Sequence, residues 1–371
     1  LIGSVQNDFI METTVRSAPE YIPPRDDFRI QCDNIEFLRK NVPKWNSITL
    51  NGYNLREFGT SGITEMAVAL ANAIETLKEM KRRGYSVDWI GERLAFFWSA
   101  ANDFFEEVAR LRAVRRLWYR IMRYKFEAQN PRAMWMRCHV QTSGISLTRE
   151  EPMNNVVRAA CHALAAILGG AQSLHVDSYD EAYSVPSEEA SLLSLRTQQI
   201  IQAETAITEV VDPLGGSFYI EALSDEIERR ILDEVDDIER MGGIVEAVET
   251  GWLQTKVANH IKREQKKISD GEIKVVGRNY FRATDLDLPE LWVHEYDESL
   301  EEEMRWKLTR VRQQRNNEKV SNCLDALKEV CERGGNVMAY CVEAARAGAT
   351  EGEMRKAFVE AFGSWKPPVY K

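Results

Sequence analysis

The chain has 371 residues, which at ~150 residues per domain allows two to three domains, or one large domain with appendages. Hydrophobic residues make up 44% and charged residues 29%, the balance of a folded soluble chain and not of a disordered one. The 48 Lys and Arg set against 58 Asp and Glu leave a net charge of −10, which argues against nucleic acid as the main partner because phosphate binding needs an excess of cations.

Along the first 185 residues, short apolar runs alternate with amphipathic stretches. The runs predict strands at Ile2–Gln6, Ser47–Gly52, Leu94–Trp98, Met134–Val140 and Gln172–His175. Between them, Ile63–Arg83 carries Met66, Leu70, Ala73, Ile74 and Leu77 at helical spacing, and Phe104–Tyr124 repeats the pattern with Phe105, Val108, Leu111, Leu117 and Ile121. Val156–Leu168 is apolar nearly all round, as a helix packed on both sides is, and Gly169-Gly170 ends it. Alternating strands and helices imply parallel pairing and an α/β architecture. About five strand–helix units are read, too few to close a (β/α)₈ barrel. Either the first part of a barrel lies outside this sequence, or the sheet is open.

After Pro186 the pattern becomes helical. Ser224 is read as the cap of a helix with Asp225 and Glu226 in its first turn and a stripe of Ile227, Ile231, Val235 and Ile238, stopped by Gly242-Gly243. A second long helix from Ile244 to about Ile268, a short strand at Ile273–Val276, an extended linker at Thr284–Ser299 and a charged, solvated helix at Glu301–Asn317 follow. Thr350 and Glu353 form a capping box that opens a last helix bearing Met354, Phe358 and Phe362.

No apolar run approaches the ~18–20 residues of a membrane span, and no signal peptide is read. The six cysteines form no CxxC pair and suit a reducing cytoplasm; the five histidines show no metal-binding spacing. Chemistry is expected at strand ends, where parallel-sheet enzymes place it. Five polar clusters stand there: Gln6-Asn7-Asp8, Gly52-Tyr53-Asn54, Phe97-Trp98, His139 to Ser143, and Gln172 to His175. They hold few acid–base pairs and no activated nucleophile, so they suit positioning more than proton transfer.

Taken in order, Gly3-Ser-Val-Gln-Asn-Asp8, Pro43-Lys-Trp-Asn-Ser-Ile48, Gly52-Tyr53, Arg93-Leu-Ala-Phe-Phe-Trp98, Gln141-Thr-Ser-Gly144, Asn154-Asn155-Val-Val-Arg158, Gln172-Ser-Leu-His175, Asp180-Glu181-Ala182 and Asp212-Pro-Leu-Gly-Gly-Ser217 resemble the large subunit of the methylmalonyl-CoA mutase family. The resemblance is collinear from the first residue through about Phe281 and weaker beyond. It implies an incomplete TIM (β/α)₈ barrel, about its last five strand–helix units, followed by a mainly helical C-terminal region. Residues 1–185 would form the C-terminal part of an acyl-CoA-binding barrel, 186–282 a helical segment packed on it, and 283–371 an extended linker and helical region.

The resemblance also implies roles. Adenosylcobalamin is the cofactor and a carboxylated acyl-CoA the substrate. Gln6 matches the glutamine on the thioester carbonyl, with Ser4 beside it among the substrate contacts. Arg16 matches the arginine on the substrate's free carboxylate, where a planar guanidinium fits. Tyr53 matches a pocket tyrosine. Glu57 and Glu181 match acidic residues near the ribose of the adenosyl group, and Gln141 a glutamine against the cofactor. Arg93, Arg132 and Gln172 match contacts to the CoA arm. His139 and His175 are read as structural. Three departures stand out: the family's Gly-Tyr-His is Gly52-Tyr53-Asn54, a serine is Ala95, and His-Thr-Asn is His175-Val176-Asp177. Asn54 still donates through its amide but carries no proton. The first two make more room or less polarity near the acyl group, which suggests that the chain keeps a carboxylated substrate through Arg16 but takes a bulkier one, such as a substituted succinyl-CoA. The Asp-x-His-x-x-Gly signature of the family's cobalamin-binding domain is not in the sequence, which implies a separate small subunit or domain, in a hetero-oligomer or dimer. The competing reading is a non-catalytic structural subunit of such a complex.

Overall fold

A computed structural model describes residues 1–15, 21–283 and 292–368. The chain divides into two compact units. The smaller comprises Leu1–Ile48, Val248–Gly251 and Glu295–Lys371; the larger comprises Thr49–Ala247 and Trp252–His294.

The larger unit is built on a four-stranded sheet in the order β3 (Ile48–Asn51), β4 (Leu94–Ala100), β5 (Cys138–Thr142) and β6 (Ser173–His175). β4 pairs parallel with β5 from Phe96 opposite Cys138 to Ala100 opposite Thr142, and β5 pairs parallel with β6. Every residue of β4 is buried, as the unbroken apolar run requires of a strand covered on both faces. Helices Gly62–Arg82, Phe104–Arg120 and Asn154–Leu168 connect successive strands, and Phe218–Arg240 packs over the first two. This is the α/β architecture with parallel pairing that the sequence predicts.

A buried ionic knot ties these layers. Arg110, fully buried on its helix, donates to Glu65 Oε2 at 2.7 Å and to Glu107 Oε2 at 2.6 Å. It also donates to the Ser99 carbonyl oxygen on β4. Glu65 in turn accepts from the Ser99 amide and hydroxyl, both at 2.7 Å. Gly52 closes over the same knot: a Cβ there would come within 2.7 Å of the Trp98 ring and 2.8 Å of Glu65 Cγ, so only glycine lets β3 turn this close to β4.

The smaller unit pairs β1 (Gly3–Ser4) parallel with β2 (Trp45–Asn46). Its helices are Pro24–Asn41, Glu298–Gln314, Asn317–Arg333, Met338–Ala347 and Glu351–Phe362. Leu327, Val330, Cys331, Val337 and Ala357 form a buried cluster, flanked by Ile30, Met354 and Phe358. Arg29 fastens the Pro24–Asn41 helix to this cluster by donating to the carbonyl oxygens of Cys331, Val330 and Gly335, which caps the C-terminal end of the Asn317–Arg333 helix. The Thr350–Glu353 capping box forms as the sequence predicts. No residue of the Glu298–Gln314 helix is buried; it is held by local pairs such as Glu303–Lys307 at 2.6 Å and Glu301–Arg305.

Several expected boundaries move. The strand expected at Met134–Val140 begins only at Cys138, because Asn130 caps a helical turn that Pro131 opens. The Phe218–Arg240 helix starts at the Ser217 cap position; Ser224 lies buried inside it, its hydroxyl without a hydrogen-bond partner. The helix expected from Ile244 breaks at Gly251, whose φ of 79° belongs to the left-handed region, and resumes at Trp252. Ile273–Val276 forms only a single bridge, Val276 to Tyr280. Of the linker expected at Thr284–Ser299, residues 284–291 lie outside the described residues, and Glu298 is already helical.

Candidate active site

The carboxyl ends of β3 to β6 gather one hydrogen-bonded set. Tyr53 and Glu57 follow β3, Gln141 is the penultimate residue of β5, and Asp177 and Glu181 follow β6. Gln141 Nε2 donates to the Tyr53 hydroxyl oxygen and to Asp177 Oδ1, both at 2.7 Å. Glu57 accepts from the Ser143 hydroxyl at 2.6 Å and from the Ile145 amide at 2.9 Å. Tyr53 stacks on Phe97 with ring centroids 4.7 Å apart and planes 11° apart, and Phe97 meets His139 at 5.1 Å. His139 shares a 2.7 Å hydrogen bond with the Ser173 hydroxyl, and His175 Nε2 sits 3.6 Å from Asp177 Oδ1.

Gly144 is the closely surrounded centre of this set. A Cβ there would lie 3.0 Å from Glu57 Oε2, 3.4 Å from Glu181 Cγ and 3.6 Å from Asp177 Oδ2. Three carboxyl groups therefore border one stretch of bare backbone. Burial raises the pKa of Glu57 against the pull of its two donors, and burial with the neighbouring Asp180 raises that of Glu181. Burial and the charges of Glu57, Asp177 and Glu181 push the Tyr53 phenol well above its ordinary value, so it stays protonated. Burial lowers His139, with His175 contributing, and lowers His175, so both rings are neutral near pH 7.

Asn54 is oriented by Asn51, a residue the sequence reading did not single out. Asn51 Nδ2 donates to Asn54 Oδ1 at 2.7 Å, and the Asn54 backbone N–H donates back to Asn51 Oδ1 at 2.9 Å. With Oδ1 engaged, the Asn54 side chain presents its Nδ2 donors elsewhere. The asparagine ending the Ile48–Asn51 strand, three residues before Asn54, was the available signal.

The other end of the sheet is cationic. Arg93 directly precedes β4, Arg132 lies in the turn before β5, and Arg137 immediately precedes β5. Burial, then the charge of Arg93 and more weakly that of Arg132, lowers the Arg137 pKa against the charge of Glu92. Arg137 was missed in the sequence, where nothing but its place before a strand distinguishes it. Gln172 is fully used by β5: its carbonyl accepts from the Cys138 amide at 3.2 Å and its amide donates to the Met136 carbonyl at 2.9 Å.

The structure thus brings Tyr53, Glu57, Gln141 and Glu181 together at one rim, with Asn54 on the same turn as Tyr53, and sets Arg93, Arg132 and Gln172 at the opposite strand ends. Ser4, in β1, and Gln6, just beyond it, are exposed and belong to the smaller unit; Arg16 lies outside the described residues. Among the described residues, no cluster of three or more His, Cys, Asp or Glu is arranged to hold a metal ion, and no helix is long and apolar enough to cross a membrane.

A parallel sheet with amides and acids along its carboxyl rim is the α/β arrangement in which ligands are commonly taken at strand ends. The chain belongs to the methylmalonyl-CoA mutase family, whose model matches residues 1–364. It is 39% identical to the 2-hydroxyisobutanoyl-CoA mutase large subunit of Aquincola tertiaricarbonis, over 100% of this chain and 66% of that protein. It is 38% identical to the methylmalonyl-CoA mutase of Rhizobium meliloti, over 98% of this chain and 51% of that enzyme. Against the human mitochondrial methylmalonyl-CoA mutase the identity is 37%, over 99% of this chain and 49% of the enzyme. The chain spans between about half and two thirds of the length of these relatives.

Proposed function

We propose that this chain is the acyl-CoA-binding part of an adenosylcobalamin-dependent mutase that isomerises the carbon skeleton of a carboxylated acyl-CoA, of the methylmalonyl-CoA/succinyl-CoA type or a bulkier substituted succinyl-CoA. Its family consists of isomerases by name, which supports the reaction class. The single observation that carries the finer reading is the Gln141 bridge between Tyr53 and Asp177, flanked by Glu57 and Glu181 around Gly144. Such a rim offers acceptors to sugar hydroxyls and would repel a phosphate, so it fits the adenosyl end of the cofactor.

In this reading the sheet is the closing part of a (β/α)₈ barrel. When bound, adenosylcobalamin supplies a weak cobalt–carbon bond and with it the radical that starts the rearrangement. The chain's own groups position and shield. Glu57, Gln141 and Glu181 hold the adenosyl portion. Asn54 donates through Nδ2 toward a thioester carbonyl, its orientation set by Asn51. Tyr53 accepts from Gln141, which leaves its hydroxyl proton to donate, while its ring, stacked on Phe97, walls out water. Arg93 and Arg132, with Arg137 beside them, offer cations to the phosphates of CoA, and Gln172 acts by fixing the start of β5. Gln6 is assigned the thioester carbonyl, Ser4 a substrate contact, and Arg16 the substrate carboxylate. A cobalamin-binding subunit or domain completes a hetero-oligomer or dimer, and six cysteines with no disulfide among them suit the cytoplasm.

The test is an assay of the chain assembled with the portions its longer relatives carry, against a panel of carboxylated acyl-CoAs with and without adenosylcobalamin. Cofactor-dependent formation of a skeletal isomer is expected. Acyl-CoA binding with no isomer formed from any member of the panel overturns the reading in favour of a non-catalytic subunit.

A further inference from the structure

Asp177 holds a carboxyl group whose two oxygens live in different circumstances. Its side chain is 1% exposed. Oδ1 accepts from Gln141 Nε2 at 2.7 Å, whereas Oδ2 is buried with no hydrogen-bond partner and lies 3.6 Å from the position a Cβ on Gly144 would take. The residue is fixed in place by its own backbone amide, which donates to Thr142 Oγ1 at 2.7 Å.

The groups facing it are Glu57, Glu181, Tyr53, Gln141, Thr142 and His175. Among the described residues no lysine or arginine pairs with any of the three carboxyl groups. His175 is neutral near pH 7, and Tyr53 stays protonated. Three uncompensated carboxylates around one glycine are strongly unfavourable, so a proton is retained. Glu57 has two donors that favour its ionised form, and Glu181, though raised by partial burial and Asp180, is far more exposed to water than Asp177. That leaves Asp177. Because Oδ1 is already an acceptor, the proton belongs on Oδ2.

We propose that Asp177 works as a neutral carboxylic acid whose Oδ2 hydroxyl donates a hydrogen bond to a vicinal diol bound at this rim, the diol's own hydroxyls donating to Glu57 and Glu181. A neutral acid carries the same donor and acceptor pair as the asparagine of the family pattern noted above, but loses the donor on ionisation. Burial first, then the charges of Glu181 and Glu57, pushes Asp177 up to about 8 against the hydrogen bond from Gln141 and the nearby Thr142 hydroxyl. The rim is therefore competent below that pH, and loses a donor and gains a third charge above it.

The proposal rests on the reading of this rim as a nucleoside site, and the experiment separates the two. Adenosine, with 2′,3′-dideoxyadenosine as the diol-free control, is titrated calorimetrically into the full chain and into D177N. Affinity of the unsubstituted chain should fall roughly thirtyfold between about pH 6.5 and about pH 9.5, in proportion to the neutral fraction. D177N keeps its donor at every pH and should be flat across the range. An infrared difference spectrum of the unliganded chain should show a protonated carboxyl band that disappears over the same range and is absent from D177N. A flat profile in the unsubstituted chain, or a missing band at the lower pH, overturns the role of Asp177 while leaving the nucleoside reading intact. Failure of both proteins to prefer adenosine over the control overturns the nucleoside reading, and with it the assigned ligand of Asp177.

Discussion

Replacing Arg110 by Met tests whether the buried ionic knot is what holds the rim in place. The guanidinium compensates two carboxylates, Glu65 and Glu107, that are almost wholly buried, and also donates to the Ser99 carbonyl. Removing one partner of a buried pair costs about 3–5 kcal/mol, because the remaining charge has lost both water and its counter-ion. Here Glu65 keeps its two Ser99 donors, and Glu107 keeps Arg56 at 3.9 Å, so the lower end, about 3 kcal/mol, is expected. Urea unfolding followed by tryptophan fluorescence, to which Trp98 beside Glu65 and the buried Trp118 contribute, reads this directly. The loss should also depend on pH. Burial already raises Glu107 against the pull of Arg110, and without the guanidinium its folded-state carboxyl is raised further. The folded chain then binds more protons, and its stability falls as pH rises through that range. R110M should therefore be less damaged at about pH 5 than at about pH 8. A loss below about 1 kcal/mol, or one equal at both pH values, would refute the reasoning.

Gly144→Ala places a methyl group 3.0 Å from Glu57 Oε2 and should abolish adenosine binding in calorimetry while leaving the urea midpoint nearly unchanged. Asn51→Ala frees the Asn54 amide to rotate; turnover by the assembled mutase should drop roughly tenfold or more, with little change in the acyl-CoA dissociation constant. Asn54→His restores the family residue and should raise turnover of methylmalonyl-CoA relative to bulkier substrates in a competition assay. In the smaller unit, hydrogen bonds from Arg315 hold Glu353 down at about 2. That pair's stabilisation is present above the unfolded carboxyl pKa and lost as pH falls through about 2, so Arg315→Ala should cost about 1 kcal/mol at neutral pH and progressively less as the pH is lowered below about 4 in urea unfolding.

What could be read from the sequence was what depends on local periodicity. The β4 strand and the helices Gly62–Arg82 and Asn154–Leu168 are strongly patterned, and their boundaries came out within a few residues. Ser224 misled because a serine before two acids resembles a cap; the turn made by Asp212-Pro-Leu-Gly-Gly-Ser217 starts the helix earlier, and Ser224 ends up buried. The helices Asn317–Arg333 and Met338–Ala347 were not read individually. The rim was legible as a list of residue types, and family motifs named Tyr53, Glu57, Gln141 and Glu181. Spacing could not reveal that Glu57, Asp177 and Glu181 meet at Gly144, because the carboxyl groups and the glycine come from three different strand ends, β3, β6 and β5. Asp177 therefore registered in the sequence only as a departure, and its unpartnered oxygen becomes visible only when the neighbours are in place.

The Glu298–Gln314 helix has acids in its first turns and bases in its last, the polarity its own dipole favours, and it buries nothing. Its order is self-supplied. A synthetic peptide of this stretch should keep appreciable helicity in dilute buffer and surrender it to salt, and a proline at Lys307 should unwind the segment in the whole chain without moving the melting of either compact unit's core.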